Sequence, residues 1–232
     1  MSRITIAIDG FSSTGKSTIA KQLAKHLGYV YVDSGAMYRA VTYFAMQHGF
    51  ISNNHFDLNG LISKLNDVNI SFKFNETLGF AEVYLNGINI EKEIRTLEVS
   101  GYVSRVAAVP QVRTQMVRQQ KKLGAQKGVV MDGRDIGTVV FPNAELKLFM
   151  TASAKTRALR RYNELLERGD AVSYEAVLKN VEERDFIDSN RKDSPLVKAV
   201  DAIEIDNSNL SIEEQFDKIL SLYNEVVSNN SL

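Results

Sequence analysis

The residues Gly10-Phe11-Ser12-Ser13-Thr14-Gly15-Lys16-Ser17 follow the spacing G-x-x-x-x-G-K-[ST]. A loop of this kind wraps backbone N–H groups around phosphate oxygens. Its glycines permit close approach, and the helix that follows presents a favourable partial positive charge. Lys16 has the reach for β- and γ-phosphates. The Ser17 hydroxyl suits the shell of a Mg²⁺ ion, which keeps several waters and binds mainly through the nucleotide. A nucleoside triphosphate site is therefore expected, but motors, switches and small-molecule kinases all share it.

Three further charged clusters narrow the choice. Asp33-Ser34-Gly35-Ala36-Met37-Tyr38-Arg39 follows an apolar run, and Asp132-Gly133-Arg134-Asp135 follows another, Val129-Val130-Met131. Both fall where open α/β sheets bind ligands, at the carboxyl edge. Ser34 is either a ligand or a helix N-cap, and Arg39 is placed to meet a substrate phosphate. Arg184, Asp188 and Arg191 recur at intervals of four and three, one helical face if the helix reaches that far, and Arg157, Arg160 and Arg161 form a similar set upstream. Either set alone also reads as a solvated face paired with Glu164, Glu167, Glu182 and Glu183. Near a phosphate loop they acquire another use: phosphoryl transfer depends on positioning and on neutralising charge, and one arginine is worth roughly 10³–10⁵ in rate. A phosphate acceptor is already anionic and needs no general base, whereas a hydroxyl acceptor calls for one, such as Asp33 or Asp132.

These residues need a scaffold that presents strand ends side by side. Ile4 to Ile8 is a short β-branched run, and apolar residues at Ile19, Ala20, Leu23, Ala24 and Leu27 give an amphipathic helix from Lys16 stopped by Gly28. A strand over Tyr29–Val32 and a helix over Ala36–His48 extend the β-α-β-α alternation. Ile70–Phe74, Ala81–Leu85 and Ile88–Ile90 alternate with period two, and Asn86-Gly87 predicts a tight hairpin. Beyond a hydrophilic helix over Gln111–Leu123 the alternation resumes, with strands at Val129–Met131, Leu146–Met150 and Ala202–Ile205. Helices are expected over Lys155–Arg168 and Tyr174–Asp188, and a capping box at Ser211–Glu214 opens the last one. The expected fold is α/β: a parallel sheet sandwiched by helices, formed by 1–61 and 104–232, with an antiparallel module inserted at 62–103.

Composition excludes other classes. In 232 residues there are 28 Lys plus Arg against 28 Asp plus Glu, so no overall basic field draws the chain to nucleic acid or anionic lipid, and any anion site must be local. There are no cysteines, which removes disulfides, thiolate nucleophiles and thiolate metal sites. The three histidines, His26, His48 and His55, lack metal-ligand spacing and read as structural. No stretch approaches the ~18 apolar residues of a membrane span, and a cytoplasmic protein is expected. A nucleotide switch or RNA-binding regulator is disfavoured, because the chain has neither an Asn-Lys-x-Asp guanine motif nor the aromatic-plus-basic strands of an RNA-binding sheet.

The phosphate loop, the Asp33-to-Arg39 segment, the run Gly133-Arg134-Asp135-Ile136-Gly137-Thr138-Val139-Val140-Phe141-Pro142 and Arg184-Asp185 through Arg191 together resemble the bacterial cytidylate kinases, over nearly the whole chain. Glu93-Ile94-Arg95-Thr96, Val103 to Ala107 and Pro110 to Arg113 resemble that family's CMP-binding insert and its exit. The resemblance implies a P-loop nucleoside monophosphate kinase fold, with a helical lid over about 157–191. The implied activity is Mg²⁺-dependent transfer of the γ-phosphoryl group of ATP to CMP or dCMP by a monomer with no polymer or membrane partner. It implies ATP contacts from Gly10 through Thr18 and from Arg157, Arg160 and Arg161. For CMP it implies Ser34, with Ser104, Arg113 and Asp135 near cytosine, Asp188 near the sugar, and Arg39, Arg134 and Arg191 at the phosphate. Arg184 would span both phosphate groups, so that Lys16, Arg134, Arg184 and Arg191 carry the catalysis. Ser17 would hold Mg²⁺, with Asp132 acting through water. Some members read Gly-Pro-x-Gly where this chain has Phe11 and Ser13, and a side chain at Ser13 weighs against a left-handed backbone there. Ile187 and Ser189 replace arginines of some relatives and are assigned no contact.

Overall fold

A computed structural model describes residues 3–77 and 80–229. The chain divides into two compact units, Met1–Asp33 with Gln120–Leu232, and Ser34–Gln119.

The first unit is built on a parallel sheet. Its strands are β1 (Thr5–Gly10), β2 (Val30–Asp33), β8 (Val129–Gly133), β9 (Leu146–Thr151) and β10 (Ile203–Asp206), in the order β10-β9-β1-β8-β2. Every residue of β1 is buried, as expected of a central parallel strand covered on both faces. Helices α1 (Lys16–Leu27) and α8 (Ile212–Asn229) pack Ile19, Leu23, Ile219 and Tyr223 against Ile6, Ile8, Val130 and Leu148 of the sheet. Truncating one of the fully buried isoleucines to alanine costs about 2–5 kcal/mol. Gly28 ends α1 in the left-handed conformation, its N–H bonded to Ala24 and Lys25 carbonyls, as the sequence predicts. Helices α6 (Ala154–Glu167) and α7 (Tyr174–Asn190) complete this unit.

Register brings the chemistry together. Asp9 lies beside Gly133, Ile8 beside Asp132, and Asp132 beside Asp33, so the carboxyl ends of three adjacent strands are level. Gly10 is required where it stands: with φ near 141° a Cβ there would lie 2.1 Å from the Met150 carbonyl oxygen.

The second unit contains α2 (Ser34–Gln47), a short ribbon of β3 (Ile51–Ser52) and β4 (His55–Phe56), and α3 (Leu58–Lys64). These are followed by an antiparallel sheet of β5 (Ile70–Asn75), β6 (Phe80–Leu85) and β7 (Ile88–Asn89), then α4 (Leu97–Ala107) and most of α5 (Pro110–Leu123). Asn86 and Gly87 both have positive φ, 50° and 84°, and join the paired residues Leu85 and Ile88 as the sequence predicts. Met37, Val41, Phe44, Leu61, Val83, Ile94 and Met116 share one core. Among the described residues no helix is long and apolar enough to cross a membrane.

Candidate functional site

The loop between β1 and α1 is held by its own atoms. Thr14 Oγ1 donates to the Phe11 carbonyl at 3.0 Å, and the buried Lys16 ammonium donates to the same carbonyl at 2.5 Å and to Thr14 Oγ1 at 3.3 Å. Gly15 adopts φ 86° and Ser13 adopts φ 58°. The expectation against a left-handed Ser13 is thus overturned: closing the loop over Lys16 outweighs a penalty of about 1–2 kcal/mol for a residue bearing Cβ. Thr18 is exposed, Phe11 stands edge-on to Phe149, and Ser12 is buried.

At the ends of the neighbouring strands, Ser17 Oγ donates to Asp132 Oδ2 and the Tyr31 hydroxyl to Asp132 Oδ1, each at 2.8 Å. Burial, followed by the nearby Asp33 carboxylate, raises the Asp132 pKa, and burial beside Asp132 pushes the Tyr31 phenol well above its ordinary value. Lys16 is driven far the other way, first by burial and then by the charge of Arg134, with Arg184 adding to it and Asp132 and Asp9 opposing. A buried ammonium among guanidinium groups is a site tuned for anions.

Asp9, which sequence reasoning passed over as the end of a strand, fixes the other side. Its two carboxylate oxygens accept the N–H groups of Ile136 (2.8 Å) and Gly137 (2.7 Å). Its pKa is pushed up to about 6 by burial, against the lowering effect of those two bonds. The segment after Asp135 is thereby pinned to the residue preceding Gly10. Residues Ile136–Val140 form a single π-type turn there.

Several arginines of this unit, Arg134, Arg157 and Arg191 among them, face carboxylates. Arg134 Nε donates to Asp188 Oδ2 at 2.9 Å, while Arg191 lies 3.9 Å from both Asp135 and Asp188. The helix α7 ends at Asn190, so Arg191 does not continue its face: it is extended, with its Nε on the Ser194 carbonyl. Arg157, buried beneath the loop, makes a two-pronged bond to Asp185 (3.1 and 2.6 Å), donates to the Ser12 carbonyl at 3.4 Å, and lies over the Phe11 ring. Arg160 grips Asn207, and Arg161 pairs with the exposed Glu164. Arg184 is half-buried and within electrostatic reach of Lys16. The first unit therefore brings together Lys16, Ser17, Asp132, Arg134, Asp135, Arg184, Asp188 and Arg191, whereas Arg161 faces Glu164 on its own helix.

In the second unit, α2 carries the buried Ser34 and the half-buried Arg39. Arg113 on α5 is 2% exposed, donates to the Ala107 carbonyl at 3.1 Å and lies over the Tyr38 ring. Ser104, on α4, is equally buried. A guanidinium this deep is expensive unless carbonyl and aromatic partners hold it, and here they do.

A family model described as cytidylate kinase matches residues 6–225. A cytidylate kinase of Flavobacterium psychrophilum is 65% identical, covering 97% of this chain and 100% of that protein, and one of Flavobacterium johnsoniae is 67% identical, with 98% and 99% covered. A cytidylate kinase of Bacteroides fragilis is 52% identical, again with 98% and 99% covered. Among solved structures, an uncharacterized protein from Eubacterium ventriosum aligns with TM-score 0.50 and 13% identity over 97% of this chain and 99% of that one, a likeness of fold alone.

Proposed function

The chain belongs to the cytidylate kinase family, and from that premise we propose how its residues transfer the γ-phosphoryl group of ATP to CMP or dCMP. The observation that carries the reading is the group of cations at the phosphate loop: the buried Lys16 feels the charges of Arg134 and Arg184, and Arg134 and Arg191 are held by Asp188 and Asp135.

Gly10 through Thr18 take the triphosphate, with backbone N–H groups and Lys16 on the β- and γ-phosphates. Arg157, Arg160 and Arg161, on the lid of about 157–191, attend the donor. For the acceptor, the family resemblance assigns Ser34, Arg39, Ser104, Arg113, Arg134, Asp135, Asp188 and Arg191. Cytosine offers an amino donor to the Asp135 carboxylate and acceptors to Arg113 and Ser104. Arg134 and Arg191, already oriented by carboxylates, turn to the CMP phosphate, and Arg184 meets charge developing between the two nucleotides. The attacking phosphate oxygen is anionic, so no side chain has to remove a proton. Water must be kept out, a task that an arginine-bearing lid over about 157–191 would perform.

The Ser17 hydroxyl and the Asp132 carboxylate are hard oxygen donors at hydrogen-bond distance from each other, and this pair fits Mg²⁺ held mostly by phosphates and water. When bound, the ion neutralises charge on the transferring group. Ser17 would ligate it and Asp132 would hold its waters. The enzyme acts as a cytoplasmic monomer in this reading.

The test is ADP release from ATP and Mg²⁺ with CMP, dCMP, UMP, AMP, shikimate or no acceptor, with Lys16→Ala in parallel. Turnover on CMP and dCMP that disappears in the variant is expected. Acceptor-independent hydrolysis, or turnover on shikimate instead, would reduce the reading to a P-loop phosphotransferase of another kind.

A further inference from the structure

Asn207 is the first residue after β10 and is wholly buried. Its N–H donates to the Thr151 carbonyl at 3.0 Å, which continues the pairing of β10 with β9. Its side chain uses its hydrogen-bonding capacity in three directions. Nδ2 donates to the Thr14 carbonyl at 2.5 Å and to Gln215 Oε1 at 2.7 Å, and Oδ1 accepts from an Arg160 guanidinium nitrogen at 3.0 Å. The Asn207 carbonyl accepts from the other Arg160 nitrogen at 2.8 Å. These partners fix which way the amide faces. Turned over, its oxygen would confront two oxygens and its nitrogen a guanidinium. Gln215, itself buried, is held in turn by the Leu210 carbonyl.

The Thr14 carbonyl is the consequential contact. In a planar trans peptide the C=O and the following N–H point in opposite directions. Drawing the Thr14 oxygen back toward Asn207 therefore turns the Gly15 N–H to the opposite side, where the phosphate-loop reading above puts the phosphates. Gly15 is the residue whose left-handed φ of 86° makes that turn possible, and a Cβ on it would stand 3.9 Å from Asn207 Nδ2. The same amide reaches α6 through Arg160, so the loop's peptide orientation and the α6 arginine share one buried anchor.

We propose that Asn207 is a positioning residue for the nucleotide donor: it presets the Thr14–Gly15 peptide for phosphate and ties that peptide to Arg160. The inference rests on the phosphate-loop reading above. A residue that only stabilised the fold would lower the melting temperature without changing how tightly the two nucleotides bind relative to each other. A positioning residue changes the donor's affinity and leaves the acceptor's.

The experiment measures binding of a non-hydrolysable ATP analogue with Mg²⁺ and, separately, of CMP by titration calorimetry, for the full chain and for Asn207→Asp and Asn207→Ala, with thermal unfolding of each. Asn207→Asp keeps the shape and the acceptor for Arg160 but sets a carboxylate against the Thr14 oxygen. Asn207→Ala removes the anchor without adding charge, and it carries the test if the aspartate variant does not fold. Loss of one such hydrogen bond predicts analogue binding weaker by about tenfold, a rise in KM for ATP of similar size, and a Kd for CMP within about twofold of the parent. Donor binding unchanged, both nucleotides weakened alike, or unfolding of both variants would overturn the proposal. Absence of ATP-analogue binding by the parent chain would instead refute the phosphate-loop reading itself, so the two failures are distinguishable.

Discussion

Asp9 offers the sharpest quantitative test, because its effects on stability and on activity should run in opposite directions with pH. Burial is the largest influence on its carboxyl group and raises the pKa from 3.8 to about 6, with Asp135 pushing the same way and the Gly137 and Ile136 N–H groups and Lys16 opposing. The displacement corresponds to about 3 kcal/mol at ~1.4 kcal/mol per unit. Between the unfolded and folded pKa values the folded chain holds more protons. This group's contribution to stability is therefore complete below 3.8 and is lost as pH rises through about 6. Activity follows the ionised form, since only a carboxylate accepts both the Ile136 and the Gly137 N–H. Protonation, or Asp9→Asn, leaves one acceptor and turns a donor against an N–H, at a cost of about 1–3 kcal/mol. That predicts a fall in kcat/KM for CMP of roughly fivefold to 150-fold in Asp9→Asn, and an acidic limb near pH 6 in the parent that the variant lacks. In urea denaturation, the stability of the parent relative to the variant should decline by about 1–1.5 kcal/mol from pH 5 to pH 7.5. Parallel stability profiles, or the same acidic limb in both proteins, would refute the assignment of Asp9 as the clamp on the Asp135 loop.

Two further predictions concern groups around the phosphate loop. Tyr31→Phe removes the 2.8 Å bond to Asp132 Oδ1 while leaving Ser17 on Oδ2. The Mg²⁺ concentration for half-maximal activity should then rise several-fold with KM for CMP unchanged, which a Mg²⁺ titration of initial rates would check; an unaltered Mg²⁺ requirement would deny Tyr31 any part in aligning Asp132. Ser13→Gly relieves a positive φ of 58° and should stabilise the chain by about 1 kcal/mol by urea denaturation, since the left-handed penalty exceeds the added chain entropy of glycine. No gain would show that the Ser13 side chain contributes as much as its conformation costs.

What the sequence reveals and what it hides divides along physical lines. The phosphate loop is legible because its chemistry constrains residue type and spacing together, and the strand and helix around it follow from apolar period and a Gly28 stop. The hairpin at Asn86-Gly87 is legible because two consecutive left-handed residues select those types. By contrast α4 carries Val99, Val103 and Val106, β-branched residues that favour strands until tertiary packing overrides them. Arg191 falls on a plausible helical repeat, and only the observed end of α7 at Asn190 removes it from that face. Asp9, Tyr31 and Asn207 belong to no motif. Their roles arise from strand register and from crossings between residues far apart in the chain, as when Tyr31 meets Asp132 or Asn207 meets Thr14.

The ion pairs also explain how a chain of zero net charge can maintain the cation cluster of the proposed phosphate site. Unpaired, clustered guanidinium groups would repel one another and the buried Lys16, whose pKa is already lowered first by burial and then by the fields of Arg134 and Arg184. Asp188, Asp135 and Asp185 supply the missing counter-charges at 2.6–3.9 Å. Nucleotide phosphates would then exchange with carboxylates as the partners of cations already in position, so that most of the desolvation of the arginines is met in folding instead of in binding. The carboxylates therefore do more than balance charge: in holding Arg134, Arg157 and Arg191 at fixed places they reduce the side-chain freedom that binding would otherwise have to remove. In the proposed acceptor site, specificity would rest on Asp135, because a cytosine amino group suits its carboxylate as a donor and a carbonyl in its place does not.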